Sequence, residues 1–327
     1  MIPSVMKTIE MREPGGPDVL HVGSRAVPEP AANEVLVRVT ATGVNGPDMV
    51  QRRGHYPPPK GASDLLGLEV SGEVVAVGSD VARWSVGDRI CALTNGGGYA
   101  EYVAVDAGHC LPIPEGVSEI DAAGLPETFF TVWSNCFHGR EIEPGSIFLV
   151  HGGAGGIGST AIQLGAALGL RVFTTCAAGD VAFCREIGAE RAIDFREEDF
   201  VAIVRDAGAA SLILDIIGGD YIARNIKAAA PDARIVQLAF NAGSKVDIDL
   251  MPVMLKRLTY TGSTLRTRPP AFKAGIAREL TERVWPLFAA GKLRPLIHAV
   301  LKIEEARRAH EMMESAAHRG KILLKIA

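Results

Sequence analysis

Residues 150–165 read VHGGAGGIGSTAIQLG, and the run that leads into them, SIFLV (146–150), is apolar and β-branched. The pattern predicts a strand that breaks into glycines and resumes as a helix, with Ile157, Ala161, Ile162 and Leu164 on the helical period. Such a turn needs glycine because a Cβ would block the backbone from a pyrophosphate, whose charge is then received by N–H groups at the helix N-terminus. As the dinucleotide spacing GxGxxG, the turn uses Gly153, Gly155 and Gly158, with Gly156 and Ile157 completing it. A short-chain reductase spacing would use Gly152, Gly156 and Gly158, but it requires a Tyr-x-x-x-Lys pair on a helix. The one literal match, Tyr56 to Lys60, is filled by Pro57, Pro58 and Pro59, which cannot present two residues on a helix face. A P-loop reading fails because Ser159 stands where the phosphate-binding lysine belongs.

The context of the turn organises the rest of the chain. Upstream, short β-like runs alternate with Gly/Pro turns: EVLVRVTATGV (34–44), LEVSGEVVAVG (68–78), VGDRICAL (86–93) and YAEYVAV (99–105). Downstream, strands alternate with helix-period segments: RVFTTC (171–176), AFCREIGA (182–189), RAIDF (191–195), LILDIIG (212–218), ARIVQLAF (233–240) and TYTGST (259–264). That alternation predicts a parallel sheet covered on both faces. A long helix-like stretch (274–291), an amphipathic one (304–315) and an apolar run, KILLKIA (321–327), follow. The expected fold is α/β: a β domain from 1–122 and 265–327, and a doubly wound nucleotide domain from 123–264, with a cleft between them.

Composition narrows the partners. The 327 residues are 47% hydrophobic, enough for a substantial core, and the net charge of −4 comes with no clustered Lys/Arg segment, so neither nucleic acid nor an anionic membrane is expected. The first residues, MIPSVMKTIEM, lack the pattern of a secretory signal, and no run is long and apolar enough to span a bilayer; the cytoplasm is the expected compartment. Five cysteines without a CxxC pair argue against a disulfide framework or a structural zinc site, and eight scattered histidines form no HxxxH or HExxH spacing.

With these strings in hand, the chain resembles the zinc-free quinone oxidoreductases of the medium-chain dehydrogenase/reductase superfamily, in the p53-inducible, zeta-crystallin-like branch. The likeness rests on GVNGPDMVQRRGHYPPPKGASDLLGLEVSGEV (43–74), GGGYAEY (96–102), LPETFFTVWSN (125–135), the glycine turn, IIGGDYIARN (216–225), GSTLR (262–266) and GKILL (320–324). It implies a GroES-like β-barrel domain joined to a Rossmann domain, and an NAD(P)H-dependent quinone or conjugated-enone reductase working in the cleft between domains. The alternatives are an enoyl-thioester reductase and a non-catalytic nucleotide-binding protein. It also implies a homodimer formed along the last Rossmann strand. Zinc-dependent relatives place Cys and His where this chain has Asn45 and Leu68, and the four-cysteine loop many of them carry is missing, so no zinc is expected. A quinone or enone tolerates that loss because hydride addition creates a delocalised oxyanion.

The resemblance also assigns residues. Asn45 and Asp48 match an N-x-x-D pattern beside the nicotinamide, although Asn45-Gly46-Pro47-Asp48 equally suits turn chemistry. Tyr56, held extended by the prolines after it, either stacks on substrate and donates its hydroxyl or stiffens a loop. Thr131 is placed against the nicotinamide ring, while Phe129, Phe130 and Trp133 read as core. Phe240, Ser263, Leu265 and Arg266 fall at or after the carboxyl ends of the last two Rossmann strands, where ligands sit. NADPH is the cofactor implied. Where relatives hold its 2′-phosphate with Lys and Tyr, however, this chain has Asp180 and Phe195, so NADH is expected to serve as well.

Overall fold

The computed structural model describes residues 1–326. The strands in chain order are β1 (Val5–Met11), β2 (Leu20–Ala26), β3 (Glu34–Val44), β4 (Glu69–Val77), β5 (Arg89–Leu93), β6 (Tyr102–Asp106) and β7 (Cys110–Pro112). These are followed by β8 (Ile147–His151), β9 (Arg171–Cys176), β10 (Arg191–Asp194), β11 (Ala210–Asp215), β12 (Ala229–Gln237), β13 (Thr259–Gly262), β14 (Ile297–Lys302) and β15 (Lys321–Lys325). The chain divides into two compact units, Met1–Phe130 with everything from Arg266 onward, and Thr131–Leu265. Residues 123–130, expected in the nucleotide domain, therefore fall in the first unit. The reason is packing: Ala123 sits among Ala41 and Leu323, and the Phe129 ring lies 5.8 Å from Trp285 and 5.5 Å from Phe288.

In the first unit β3 is the organising strand. It pairs antiparallel with β4, β6 and β15 within a seven-stranded sheet, while β1 and β2 form a separate hairpin. Val35, Val37, Val39, Val70, Val74 and Ile90 are buried together, as the β-branched content of these runs requires. The β15 register sets Ile322 opposite Val44, which brings the last strand of the chain against the end of β3 and the residues that follow it.

The second unit carries a six-stranded sheet in the order β10-β9-β8-β11-β12-β13, all parallel. This is the Rossmann order, with its switch point between β8 and β11. β8 (IFLVH) is buried at every position, as a central parallel strand covered on both faces must be. β13 is the edge strand, and its residues are mostly exposed.

The stretch expected as one helix over 274–291 is interrupted. Helix Pro270–Glu279 passes into a π-helical turn, Leu280–Val284, and then into Trp285–Ala289. Pro286 explains the interruption, since it lacks an N–H and its ring clashes with the carbonyl four residues back.

Phe200 is fully buried in the core of the second unit, its ring 4.8 Å from His151 and 5.3 Å from Tyr221. Phe200→Ala is expected to lower unfolding free energy by about 3–5 kcal/mol. Denaturant titration checks this, and a loss no larger than that of a surface substitution would contradict the packing described.

Candidate active site

The glycine turn forms a cradle at the carboxyl end of β8. Gly152 has φ +75°, a conformation that suits glycine, and its amide and that of Gly153 both donate to Thr175 O at 3.0 Å. A Cβ on Gly158 would lie 2.1 Å from Gly152 O, and one on Gly153 would lie 2.2 Å from Thr174 Oγ1, so both positions are closed to any side chain. Helix Gly156–Ala167 begins there with no acidic residue in its first turn. The amides of Gly156, Ile157 and Gly158 thus lie in the first turn of a twelve-residue helix, the arrangement that accepts a pyrophosphate.

Beneath the turn a buried polar chain ties β8, β9 and β11 together. His151 Nδ1 lies 2.9 Å from Thr175 Oγ1 and Nε2 lies 2.7 Å from Asn225 Oδ1, while Asn225 Nδ2 donates to Asp215 Oδ2 at 2.9 Å. Asp215 Oδ1 accepts from the amides of Ile217 (2.6 Å) and Gly218 (3.0 Å), fixing the loop after β11. Because Asn225 turns its donor to Asp215, its oxygen faces the imidazole, and the network assigns the proton to His151 Nε2. Burial lowers the His151 pKa to about 4, so the ring is neutral at physiological pH.

The remaining nucleotide-side residues are distributed as follows. Thr131 is buried and its Oγ1 has no hydrogen-bond partner, whereas its carbonyl accepts from Asn135 Nδ2 at 2.9 Å. Asn135 Oδ1 in turn accepts from Ser263 Oγ at 2.8 Å. An orphaned buried hydroxyl is costly unless a ligand completes it. Phe240 is exposed beside Gly218, and Leu265 is half-buried at the end of the unit. Asp180 closes the short turn after β9, and Phe195 follows β10 with its ring exposed and the Arg196 guanidinium 5.5 Å from its centre.

The first unit holds a second cluster, built around the end of β3. Asn45 caps helix Gly46–Arg52, and its backbone N–H donates to Asp48 Oδ2 at 2.9 Å in a capping box. Asp48 Oδ1 accepts from Gly67 N at 3.0 Å, so both oxygens of this carboxylate already serve the fold, as turn chemistry would have it. Asn45 Nδ2 donates to Glu69 Oε1 at 2.9 Å, and Lys321 Nζ donates to Asn45 Oδ1 and pairs with Glu69 Oε1 at 2.8 Å. Glu69 Oε2 accepts the backbone N–H of Glu127 at 2.8 Å. Burial pushes the Asp48 carboxyl up to about 6 and the Glu127 carboxyl up to about 7, with Lys321 opposing both shifts.

Arg266, expected at the cofactor, instead faces its own unit. Its guanidinium donates to Asn95 O (3.0 and 2.6 Å) and Gln51 Oε1 (2.7 Å) and lies 5.3 Å from the centre of the Tyr56 ring. Lys273 Nζ donates to Asn95 Oδ1 at 2.7 Å and Arg266 O at 3.0 Å. Tyr56 itself is half-buried, and burial raises its phenol above the usual range.

Glu69, Glu127 and Lys321 escape a reading of the sequence alone. Each is a charge set within an otherwise apolar run (LEVSG, LPETFF, KILL), which is the signal that could have found them. The donors do not suit zinc. The two ligand positions of the metal-dependent pattern are an amide and Leu68, the Glu69 carboxylate is taken by the Lys321 ammonium, and among the described residues no three His, Cys, Asp or Glu side chains group to hold a metal. Among the described residues no helix is long and apolar enough to cross a membrane.

Lys321 is the cation shared by Glu69, Glu127 and Asp48, so Lys321→Met is expected to cost about 3–5 kcal/mol by leaving buried carboxylates unpaired. Asp48 and Glu127 have folded pKa values above their unfolded ones; their contribution is therefore fully present at low pH and lost as pH rises toward 7. Without the opposing cation this loss grows. Thermal unfolding on either side of neutrality should show the variant's deficit widening at the higher pH; a deficit independent of pH would contradict the cluster's electrostatics.

Residues 31–115 match the family described as alcohol dehydrogenase GroES-like domain, and residues 187–324 match zinc-binding dehydrogenase. Quinone oxidoreductase 1 of Escherichia coli is 31% identical over 327 residues, covering 97% of this chain and 98% of that protein. A phenolphthiocerol/phthiocerol polyketide synthase of Mycobacterium tuberculosis is 28% identical over 97% of this chain, which spans only 15% of that much longer protein. Among solved structures, Escherichia coli quinone oxidoreductase complexed with NADPH superposes with a TM-score of 0.84 at 28% identity, covering 98% of this chain and 99% of that one. CurK enoyl reductase superposes with a TM-score of 0.85 at 27% identity, covering 99% and 100%. The chain belongs to the medium-chain dehydrogenase/reductase superfamily, as a relative of its quinone oxidoreductases.

Proposed function

We propose that this chain is a zinc-independent NAD(P)H-dependent reductase of quinones or conjugated enones. The observation that carries the reading is the closed glycine cradle at the β8–β11 switch point, shaped for a dinucleotide, in a chain whose zinc-ligand positions hold Asn45 and Leu68. When bound, the reduced nicotinamide supplies the hydride. The amides of the helix that begins at Gly156 receive the pyrophosphate, and the unpartnered Thr131 Oγ1 offers a hydrogen bond to the nicotinamide end. Tyr56 donates its hydroxyl to the oxyanion that develops on the acceptor, and catalysis is mainly orientation and hydrogen bonding. The likeness to CurK enoyl reductase and to the polyketide synthase favours one second reading, an enoyl-thioester reductase.

The chain is further proposed to act as a homodimer in the cytoplasm. β13 is an unpaired sheet edge with Tyr260 exposed on it, and Leu250, Met254 and Leu255 are exposed on the segment before it. The five buried, unbridged cysteines suit a reducing compartment.

Oxidation of NADPH and NADH, followed spectrophotometrically with 1,2- and 1,4-quinones, enones and an enoyl-thioester, tests the reading. Turnover is expected with quinones or enones and little with the thioester; the reverse order would move the chain to the second reading.

Cofactor choice generates a separate expectation. Asp180 sets an anion at the turn after β9, and two charges about 4 Å apart interact by ~1–4 kcal/mol at a surface-like dielectric. Since ~1.4 kcal/mol is tenfold in affinity, the two cofactors should differ in kcat/KM by about tenfold or less, and Asp180→Lys with Phe195→Tyr should shift preference toward NADPH by about tenfold or more. A strong wild-type preference for NADPH that the double substitution leaves unchanged would show that the phosphate is read elsewhere, by Arg185 or by Arg196, whose guanidinium lies 5.5 Å from the Phe195 ring.

A further inference from the structure

We infer that Asn135 is a positioning residue for the nicotinamide end of the cofactor. It takes up the hydroxyl proton of Ser263, so that the serine oxygen is left as an acceptor, and Ser263 with Thr131 then suits a primary carboxamide. The inference rests on the reductase reading above and lies wholly within the second unit, Thr131–Leu265.

Asn135 stands in a π-helical turn, Trp133–Phe137, closed by the His138 N–H, which donates to Trp133 O at 2.9 Å. Such turns recur at functional sites. This one is fixed to the sheet. The Phe137 ring lies 6.0 Å from that of Phe148 on β8, and Arg234 on β12 donates from Nε to Asn135 O at 3.3 Å. The Asn135 side chain is buried, and its two ends meet different partners. Nδ2 donates to Thr131 O at 2.9 Å, and Oδ1 lies 2.8 Å from Ser263 Oγ. Thr131 O is a carbonyl and can only accept, which decides which end of the amide is nitrogen. The oxygen end therefore faces Ser263, and the serine hydroxyl must be the donor there.

A serine has one hydroxyl proton, so committing it to Asn135 leaves only lone pairs for a ligand. Ser263 is exposed, and those lone pairs are open to one. Thr131, tied to the other end of the same amide, has a buried Oγ1 without a partner, whose proton is still to be given. An acceptor and a donor on the two residues that one asparagine ties together match a primary carboxamide, whose N–H donates and whose carbonyl accepts. The placement agrees with this. Ser263 follows β13 as the glycine turn follows β8, and in an all-parallel sheet both lie at the carboxyl edge, where a dinucleotide binds. A methyl ketone in place of the amide has no N–H for Ser263. Without Asn135 the serine proton is free to turn toward the ligand, and the distinction between the two is lost.

The test measures binding and needs no turnover. Calorimetry gives dissociation constants for NADP⁺, for its acetylpyridine analogue, in which a methyl ketone replaces the carboxamide, and for phospho-ADP-ribose, which lacks the ring. Wild type should bind NADP⁺ about fivefold to tenfold more tightly than the analogue. Asn135→Leu and Ser263→Ala should each bring the two ligands to within about twofold, and the double variant should go no further than either. Affinity for phospho-ADP-ribose should stay at the wild-type level throughout. Because Ser263 is exposed, Ser263→Ala tests the acceptor even where the buried Asn135 does not tolerate leucine. Either single variant that keeps the wild-type discrimination overturns the inference, as does a wild type that shows none. An Asn135→Leu protein that loses phospho-ADP-ribose in the same proportion as NADP⁺ overturns it too, by showing a merely structural role. A wild-type protein that binds no dinucleotide at all overturns the reductase reading and this inference with it.

Discussion

One ammonium holds the first unit's polar cluster together. Lys321 reaches Glu69 and Asn45 because β15 pairs antiparallel with β3 in the register that sets Ile322 against Val44. A shift of one residue would turn Lys321 to the opposite face and bring an apolar neighbour to the carboxylates. Backbone pairing between residues some 280 apart in sequence therefore decides the electrostatics of a site to which helix Gly46–Arg52, β4 and helix Pro126–Val132 also contribute. Lys321 lowers the pKa of Asp48 and Glu127 while burial raises both, and burial prevails. The outcome is a pair of carboxyls held above the ordinary carboxylate range, because one shared cation does not offset their burial.

The second unit solves a different problem. Its glycine turn must bring backbone close to an anion while hiding the polar groups that hold the turn in place. His151, Thr175, Asn225 and Asp215 do this as a fully bonded chain beneath the cradle, with the imidazole neutral and the Asp215 oxygens taken up by the amides of Ile217 and Gly218 and by Asn225. Burial penalises the charged imidazolium and depresses the His151 pKa to about 4, against the opposing pull of Asp215.

Much of this architecture is legible in the chain. The strand–glycine–helix grammar at 146–165 predicts β8 and its helix, and the run EVLVRVTATGV coincides with β3 because its β-branched content has no competing periodicity. The β1–β2 hairpin and β14 are not. β2 carries polar or small residues at nearly every other position, and β14 alternates half-buried with exposed residues, so neither shows a strong apolar stripe. For the site, glycines are readable because their reason is local. The roles of Asn45 and Arg266 are not, since both depend on partners far away in sequence: Glu69 and Lys321 for one, Gln51 and Asn95 for the other. Charged residues inside apolar strands are the part of the sequence that most needs reading as chemistry rather than as flaws in a pattern.

Arg266 and Lys273 complete the electrostatic argument for a reductase without a metal. Both are buried, and their hydrogen-bond acceptors are neutral: Gln51, Asn95 and backbone carbonyls. Burial lowers the pKa of each, which measures the cost of keeping positive charge there without a paired anion. The same charge favours anions nearby. Arg266, 5.3 Å from the Tyr56 ring, works against the burial that raises the phenol and so makes its hydroxyl a stronger donor. Under the proposed reaction the charge that appears on the acceptor is negative and delocalised. A fixed cation behind a polarised hydroxyl then supplies, through hydrogen bonding and field, part of the stabilisation that a Lewis acid would supply by coordination.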